Sequence, residues 1–180
     1  GFGNRGVEGK MLASRYCREN GKPYLGICLG LQVAVIDFAR DVLGKAGANS
    51  TEFDEATPYP AVIFMPEGSR THMGGTMRLG SRQTNLTTKD CEAFRLYGGK
   101  MEIHERHRHR FEVNPDMVAE LEGAGMRFVG KDTEGERMEI IELEGHPYFF
   151  ATQYHPEFQS RPNRPSPPFV GLIEAALKAQ

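Results

Sequence analysis

The feature that most constrains this chain is a cysteine between two glycines, placed where an apolar segment gives way to an amphipathic one. The pattern G-x-C-x-G occupies residues 26–30. The run at 23–27 is short and apolar and follows a turn signal, which predicts a buried strand. From Leu31, apolar residues recur at helical spacing until Gly44, which predicts a helix that ends there. Strand, tight turn and helix in this order indicate an α/β fold with a parallel sheet.

Cys28 is the candidate nucleophile in this pattern. A strained strand-to-helix turn pushes its central side chain out at the end of a sheet, and Gly26 and Gly30 keep that turn free of colliding side chains. The positive end of the following helix is expected to favour a thiolate, and the backbone N–H of Leu29 to bind a developing oxyanion. A buried structural cysteine with glycines for close packing remains the alternative from this motif alone, and it is the interpretation we keep for Cys17 and Cys91.

A second set of polar residues follows an apolar strand near the end of the chain. The segment 153–157 has the sequence QYHPE. A cysteine nucleophile needs an imidazole to accept its proton and to return it to the leaving amine, and the imidazole needs a carboxylate to hold it in one tautomer. His155 and Glu157 are therefore the predicted base and orienting carboxylate. Taken singly, a strand-end histidine beside a solvated glutamate is the simpler interpretation, and the suitable cysteine elsewhere shifts the balance.

The remaining sequence predicts further elements of a single domain covering residues 1–180. Turn signals at 134–135 and 144–145 join the last three strands, which indicates a small antiparallel segment. Hydrophobic periodicity and the positions of glycine and proline predict helices at 8–20, 115–121 and 169–177, strands at 61–65, 106–113, 127–130, 137–143 and 148–154, and loops at 68–75 and 162–168.

Charge and composition bear on the partners of this chain. Its 22 lysines and arginines balance 24 acids to a net charge of −2, which offers no electrostatic basis for binding nucleic acid or an anionic membrane. No apolar run is long enough to span a bilayer. The three cysteines lack paired spacing, which indicates a reducing compartment and hence the cytoplasm. Arginines are interleaved with His104, His107 and His109, so we expect no metal site there.

The cysteine elbow and the His-Pro-Glu segment together resemble the class I glutamine amidotransferase family. More specific similarity is to the glutaminase domains of CTP synthases, and it runs through nearly the whole chain. The segments that carry it are 1–6 (GFGNRG), 48–53 (ANSTEF), 74–80 (GGTMRLG), 105–110 (ERHRHR) and 166–168 (SPP). The resemblance implies the class I fold, which is a flavodoxin-like open sheet, mostly parallel, with helices on both faces and a small antiparallel β segment.

The resemblance also implies roles for individual residues. Cys28 would form a γ-glutamyl thioester with glutamine and release ammonia, while His155 would shuttle the proton and Glu157 would orient His155. Leu29 and Gly1 would supply the oxyanion hole. The implied substrate-binding residues are Gly1, Leu29, Gly30, Leu31, Gln32, Glu52 and Arg110.

Glu52 and Arg110 are the two charged members of this implied substrate site. Glu52 would pair with the α-ammonium group of glutamine and Arg110 with its α-carboxylate, so that a zwitterionic substrate meets one carboxylate and one guanidinium. This pair argues against a γ-glutamyl peptide hydrolase on the same fold. A non-catalytic regulatory or assembly module is the other alternative, and the intact Cys28, His155 and Glu157 argue against it.

Family members deliver their ammonia to an N-terminal synthase domain that aminates UTP to CTP with ATP and Mg²⁺, with GTP as an activator. The resemblance implies the same partner here, no cofactor in the domain itself, and a homo-oligomeric full-length enzyme. The family's oxyanion loop is Gly-Gly-Phe-Gly, and this sequence begins at the second of those glycines. We therefore expect the domain to be N-terminally incomplete, without its first strands and part of that loop.

Overall fold

The computed structural model describes residues 3–65 and 77–179. The prediction of a loop at 68–75 and the roles of Gly1 fall outside these residues. In chain order the described elements are α1 (Val7–Glu19), β1 (Tyr24–Ile27), α2 (Leu29–Asp41), β2 (Ala48–Ser50), β3 (Tyr59–Phe64), β4 (Arg78–Leu86), α3 (Glu92–Leu96), β5 (Glu102–His109), β6 (Phe111–Val113), α4 (Pro115–Gly123), β7 (Met126–Lys131), β8 (Met138–Leu143), β9 (Phe149–Thr152), a 3₁₀ turn (Pro156–Phe158) and α5 (Pro167–Lys178).

The described strands form a six-stranded sheet in the order β1-β9-β8-β7-β4-β5 and a three-stranded sheet in the order β2-β3-β6. The predicted α/β class is confirmed. The pairing differs from the mostly parallel sheet expected, because parallel neighbours occur among these strands only between β1 and β9 and between β2 and β3. The physical reason is the short connections. Strands β7, β8 and β9 follow one another through tight turns, which can join only antiparallel neighbours.

Helices pack on both faces of the larger sheet, as predicted. Strand β9 shows the arrangement, because alternate side chains of a strand point to opposite faces. Phe149 and Ala151 belong to the core cluster that contains the apolar residues of α1 and α2. Phe150 belongs to a second cluster, which includes Ala93 of α3 and Leu172 of α5. The end of β9 is thus held from both sides.

Several boundaries differ from the sequence prediction. Strand β4 and helix α3 were not predicted, and β4 pairs with β5 along its whole length. The strand expected at 106–113 is two strands, β5 and β6, which are interrupted at Arg110. Helix α5 begins at Pro167, inside the predicted loop, because the first turn of a helix has no need of the N–H that proline lacks.

Three general properties of the described chain complete this description. None of the described helices is both long enough and apolar enough to cross a membrane. Cys17, Cys28 and Cys91 are free thiols. Within residues 3–65 and 77–179, no three side chains of His, Cys, Asp or Glu are grouped so that they could hold a metal ion.

Candidate active site

Cys28 lies on a strained turn between β1 and α2. Its φ and ψ are 54° and −104°, and it is the one non-glycine residue with a positive φ in the described parts of the chain. Such a conformation costs on the order of 1–3 kcal/mol and persists only where surrounding contacts enforce it. Here the Cys28 N–H donates to the Thr152 carbonyl at 2.7 Å, and the Cys28 carbonyl accepts from Leu31 N at 3.0 Å. The predicted strand–turn–helix geometry is therefore present.

The two glycines that flank Cys28 are not equivalent. A Cβ atom added to Gly26 would lie 2.8 Å from the backbone carbonyl group of Gly30 and 2.8 Å from the Tyr24 ring. A Cβ atom added to Gly30 would meet only the Tyr24 hydroxyl, at 3.8 Å. Collision thus requires glycine at the first position, whereas the sequence analysis expected it at both.

This difference predicts that replacing glycine by alanine destabilises the protein at position 26 but not at position 30. We expect Gly26→Ala to lower the free energy of unfolding by about 1–3 kcal/mol, because the added methyl group overpacks the elbow against backbone atoms. We expect Gly30→Ala to be neutral or to stabilise by about 0.5–1 kcal/mol, since alanine is the better helix former and has room here. Urea unfolding of the two variants checks this, and equal losses in both would contradict the collision argument.

Parallel pairing of β1 and β9 brings the ends of two distant segments together. Ile27 lies opposite Thr152 in the ladder. Because parallel strands end at the same edge of a sheet, the residues that follow them, Cys28 and the segment 153–157, emerge side by side. Both also contact the free edge of β5. The His155 N–H donates to the Arg106 carbonyl at 2.8 Å, and the Cys28 thiol faces the Arg108 carbonyl at 3.9 Å.

His155 and Glu157 form a direct pair across Pro156. The distance from His155 Nδ1 to Glu157 Oε1 is 2.7 Å, and Glu157 can fold back because Pro156 opens a 3₁₀ turn. An ionised carboxylate only accepts hydrogen bonds, so Nδ1 carries the ring proton and Nε2 is the basic nitrogen. The side chain of His155 is 16% exposed, which leaves this nitrogen reachable. The pair therefore has the geometry of a base and its orienting group.

The thiol of Cys28 is not ionised by the helix end, contrary to the sequence expectation. Burial raises the pKa of Cys28 to about 11. A backbone hydrogen bond from Leu29 lowers the pKa, and the charges of Glu157 and Glu52 raise it. The residue is only 4% exposed. The cost of removing the thiolate from water thus exceeds its stabilisation by the positive end of α2, which is at most about 2 kcal/mol. The substrate-free thiol needs a base to remove its proton.

Glu52 and Arg110 occupy different places around the elbow. Glu52 follows β2, where its N–H donates to Ser50 Oγ at 3.1 Å, and its carboxylate accepts from Gly3 N at 3.3 Å. Its charge acts on the Cys28 thiol, so the two side chains share one electrostatic environment. Arg110 joins β5 to β6 with an exposed side chain, and its carbonyl accepts from Met65 N at 3.1 Å.

The other predicted substrate-binding residues lie in the first turn of α2. Leu29 and Gly30 open this helix directly after Cys28. Leu31 is fully buried in the core, so its side chain contacts protein only. The amide nitrogen of Gln32 donates to the Phe111 carbonyl at 2.8 Å and to Gln153 Oε1 at 3.2 Å. Their contact with substrate stays a prediction.

Gln153 is a neighbour of the nucleophile that the sequence analysis did not single out. Its Nε2 donates to Cys28 Sγ at 3.6 Å. The sequence carried a usable signal, because a residue that follows β9 directly must lie opposite the residue that follows β1. Without the pairing of the two strands, however, nothing distinguished this glutamine from a structural one.

Strand β5 carries a second unexpected feature on its inner face. His107 and His109 are both buried, a detail that the strand predicted at 106–113 did not specify. Their rings meet at 2.8 Å between Nδ1 of His107 and Nε2 of His109. Burial lowers the pKa of His107 to about 2 and that of His109 to about 3, so both are neutral. The neighbouring arginines, Arg106, Arg108 and Arg110, point outward.

Comparison with known proteins identifies the family of this chain. Residues 1–175 match the family model described as glutamine amidotransferase class-I, so the chain belongs to that family. Within it, the chain is similar to CTP synthases. It is 58% identical to CTP synthase 1-A of Xenopus laevis over 177 residues and 56% identical to CTP synthase 1 of Homo sapiens over 177 residues. These alignments cover 98% of this chain and 30% of each relative.

Solved structures agree with this assignment. The Trypanosoma brucei CTPS glutaminase domain with bound acivicin superposes with a TM-score of 0.92 at 38% identity, covering 99% of this chain and 69% of that one. A glutamine amidotransferase from Thermotoga maritima, at 13% identity and a TM-score of 0.54, shows the fold alone. The resemblance and the enzyme class expected from the sequence are confirmed.

Proposed function

We propose that this chain hydrolyses L-glutamine to glutamate and ammonia through a γ-glutamyl thioester on Cys28. The observation that carries the proposal is the elbow beside the paired His155 and Glu157, at the shared edge of two parallel strands. The family assignment supports it independently.

The proposal assigns a residue to each step of the reaction. As Sγ of Cys28 attacks the side-chain amide carbon, Nε2 of His155 takes the thiol proton and then delivers it to the leaving nitrogen, which departs as ammonia. The Leu29 N–H, with Gly1 as the second donor, stabilises the oxyanion. A water molecule activated by the same imidazole then attacks the thioester, which releases glutamate and restores the thiol. Because the thiol pKa is about 11, the base acts during the attack.

Glu52 and Arg110 bind the two charged groups of the substrate in this proposal. Glu52 binds the α-ammonium group of glutamine, and the effect of its charge on the Cys28 thiol supports a place in the same site. Arg110 binds the α-carboxylate, for which its exposed guanidinium is available. A γ-glutamyl peptide retains both charges on its glutamyl part but adds a bulky leaving group. Gly30, Leu31 and Gln32 complete the substrate site as proposed contacts.

The proposal also includes a domain that uses the ammonia. The chain spans about 30% of the length of the CTP synthases that it matches. We propose that, as part of such a protein, it passes ammonia to a synthase domain that aminates UTP to CTP with ATP and Mg²⁺, under activation by GTP. A homo-oligomeric assembly and a cytoplasmic location stay predictions.

Steady-state release of glutamate by the chain tests this function. We expect turnover of glutamine well above that of γ-glutamyl peptides. We expect Glu52→Gln to lower kcat/KM for glutamine by roughly ten- to a hundredfold, the value of a charge-assisted hydrogen bond. Glu55→Gln, an exposed acid in the same loop, is the matched control and should have no effect.

Two outcomes would redirect the assignment. Preferential turnover of γ-glutamyl peptides would support a peptide hydrolase. Absence of turnover, together with no labelling of Cys28 by a glutamine-like electrophile, would support a non-catalytic module. Where glutamine is turned over, an unchanged kcat/KM in Glu52→Gln would remove Glu52 from the substrate site.

A further inference from the structure

Two buried amide side chains link the backbone of β6 to the sulfur of Cys28. Gln32 Nε2 donates to the Phe111 carbonyl at 2.8 Å and to Gln153 Oε1 at 3.2 Å. Gln153 Nε2 donates to Cys28 Sγ at 3.6 Å. Gln32 is 3% exposed and Gln153 is 0% exposed, so neither amide has solvent as an alternative partner. We call this pair the amide relay.

The direction of the amide relay is set at its β6 end. A backbone carbonyl can only accept, so Gln32 must present its NH₂ group to Phe111. The second proton of that NH₂ group requires an acceptor, which is Oε1 of Gln153. Gln153 must then present its own NH₂ group to Cys28. Neither amide can rotate by 180° without leaving two buried acceptors or two buried donors face to face.

We propose that Gln153 is a catalytic residue that stabilises the Cys28 thiolate with its amide N–H, and that Gln32 is a positioning residue that fixes this donor. The consequence for turnover rests on the glutaminase function proposed above, whereas the consequence for the thiol does not. Sulfur carries negative charge as its proton leaves. A donor already aimed at sulfur is therefore worth more after ionisation than before it.

The surroundings of the thiol explain why such a donor is needed. Burial and the carboxylates of Glu52 and Glu157 all disfavour the thiolate. On β5, the Arg108 carbonyl accepts from the Cys28 thiol at 3.9 Å and offers the sulfur no proton. His155, which precedes the 3₁₀ turn, is the proposed acceptor of the thiol proton. The backbone of Leu29 and the side chain of Gln153 are therefore the donors that oppose these effects.

Alkylation by iodoacetamide measures this effect without glutamine. The reagent reacts with the thiolate, so its rate at fixed pH follows the fraction of Cys28 that is ionised. In the full chain, we expect Gln153→Met to slow alkylation of Cys28 near pH 8 by roughly ten- to a hundredfold, the value of a hydrogen bond to a charged group. Cys17 and Cys91 in the same sample are internal controls and should react at unchanged rates. An unchanged rate at Cys28 would overturn the proposal.

A double-mutant cycle separates a relay from two independent effects. We expect Gln32→Met to slow alkylation less than Gln153→Met does, because Gln153 can then rotate its amide. The double variant should react at the rate of Gln153→Met alone, since Gln32 acts only through Gln153. If the double variant reacted more slowly than Gln153→Met, by the product of the two single rate reductions, the positioning role of Gln32 would be overturned. Gln83→Met is a matched control, because its amide donates to Asn85 on β4.

A measurement on the unsubstituted chain covers the case in which the variants fold poorly. In the ¹⁵N-labelled chain, the side-chain amide resonances of Gln153 should shift with the titration of Cys28, and this shift should disappear in Cys28→Ser. Gln153 side-chain resonances whose chemical shifts stay constant while Cys28 titrates would overturn the proposal. If glutamine were not hydrolysed at all, the proposed function would fail while both thiol readouts would still report on the amide relay.

Discussion

Cys28→Ala is expected to abolish glutamine hydrolysis by this chain, with kcat reduced by on the order of 10⁴-fold or more. The loss is large because alanine leaves no atom that can form the thioester, while His155, Glu157 and the Leu29 N–H remain without a reaction to assist. Glutamate release under saturating glutamine is the measurement. The fold should persist with a loss of about 1–3 kcal/mol, since the buried Gln153 amide loses its sulfur acceptor, and thermal unfolding checks this.

Cys17→Ala and Cys91→Ala are the matched controls for that loss. Both thiols are free and partly buried, yet neither lies on the elbow, so activity should stay within about twofold of the unsubstituted chain. A second readout applies to a protein that also carries the synthase domain. There, Cys28→Ala should abolish CTP formation from glutamine and spare its formation from free ammonia. Loss of both would mean that the cysteine is structural.

Arg78→Met is expected to lower the free energy of unfolding by roughly 3–5 kcal/mol. Arg78 Nη2 lies 2.8 Å from Glu139 Oε1, and the Glu139 side chain is fully buried beneath β4. Removing the cation leaves that carboxylate with the Thr84 hydroxyl as its nearest donor. Urea unfolding measures the loss. The double variant Arg78→Met/Glu139→Gln should recover part of it, because the uncompensated charge is then gone.

Arg95→Met is the surface counterpart of this experiment. Arg95 pairs with Glu92 and Glu174, but its side chain is 52% exposed, so we expect a loss of less than about 1 kcal/mol. Similar losses for both arginines would contradict the role of burial.

The Arg78→Met loss should also depend on pH. Burial raises the pKa of Glu139 to about 7 from its ordinary 4.5. The folded state therefore holds a proton that the unfolded chain has released, so this group's contribution to stability falls as pH rises from about 4.5. Removing Arg78 raises the folded-state pKa further, and the loss should be larger near pH 8 than near pH 6.

Local patterns were sufficient to predict the strand–turn–helix geometry at Cys28 and to single out His155 and Glu157, which the structure pairs. Gly26, Cys28 and Gly30 lie within one turn, and His155 and Glu157 are two residues apart, so the chemistry of each group could be inferred from neighbours in sequence. The alternation along β5 was likewise correct in period. What it could not indicate was that the inward histidines would bond to each other, because that depends on the polar residues facing them from β4 and β8.

The unpredicted elements have physical reasons of the same kind. Strand β4 lacks apolar alternation because two of its inward residues, Arg78 and Thr84, bond to the buried Glu139 rather than pack in a hydrophobic core. The prediction of a thiolate at the helix end was wrong because the sequence indicates the helix but not how deeply Cys28 is buried. Predicting that Gln153 lies beside Cys28 would have required the register of β1 against β9, and the sequence of neither strand alone gives that register.

The pairing of β1 with β9 also determines when this site can form during folding. The thiol and the amide that contacts it are separated by 125 positions, and within the described sheet β1 has β9 as its sole neighbour. Loop closure over such a separation is slow relative to the formation of local helices and turns. A polypeptide emerging from the ribosome thus carries Cys28 long before the strand that will shield its sulfur, and we expect the proposed site to form among the last events of folding.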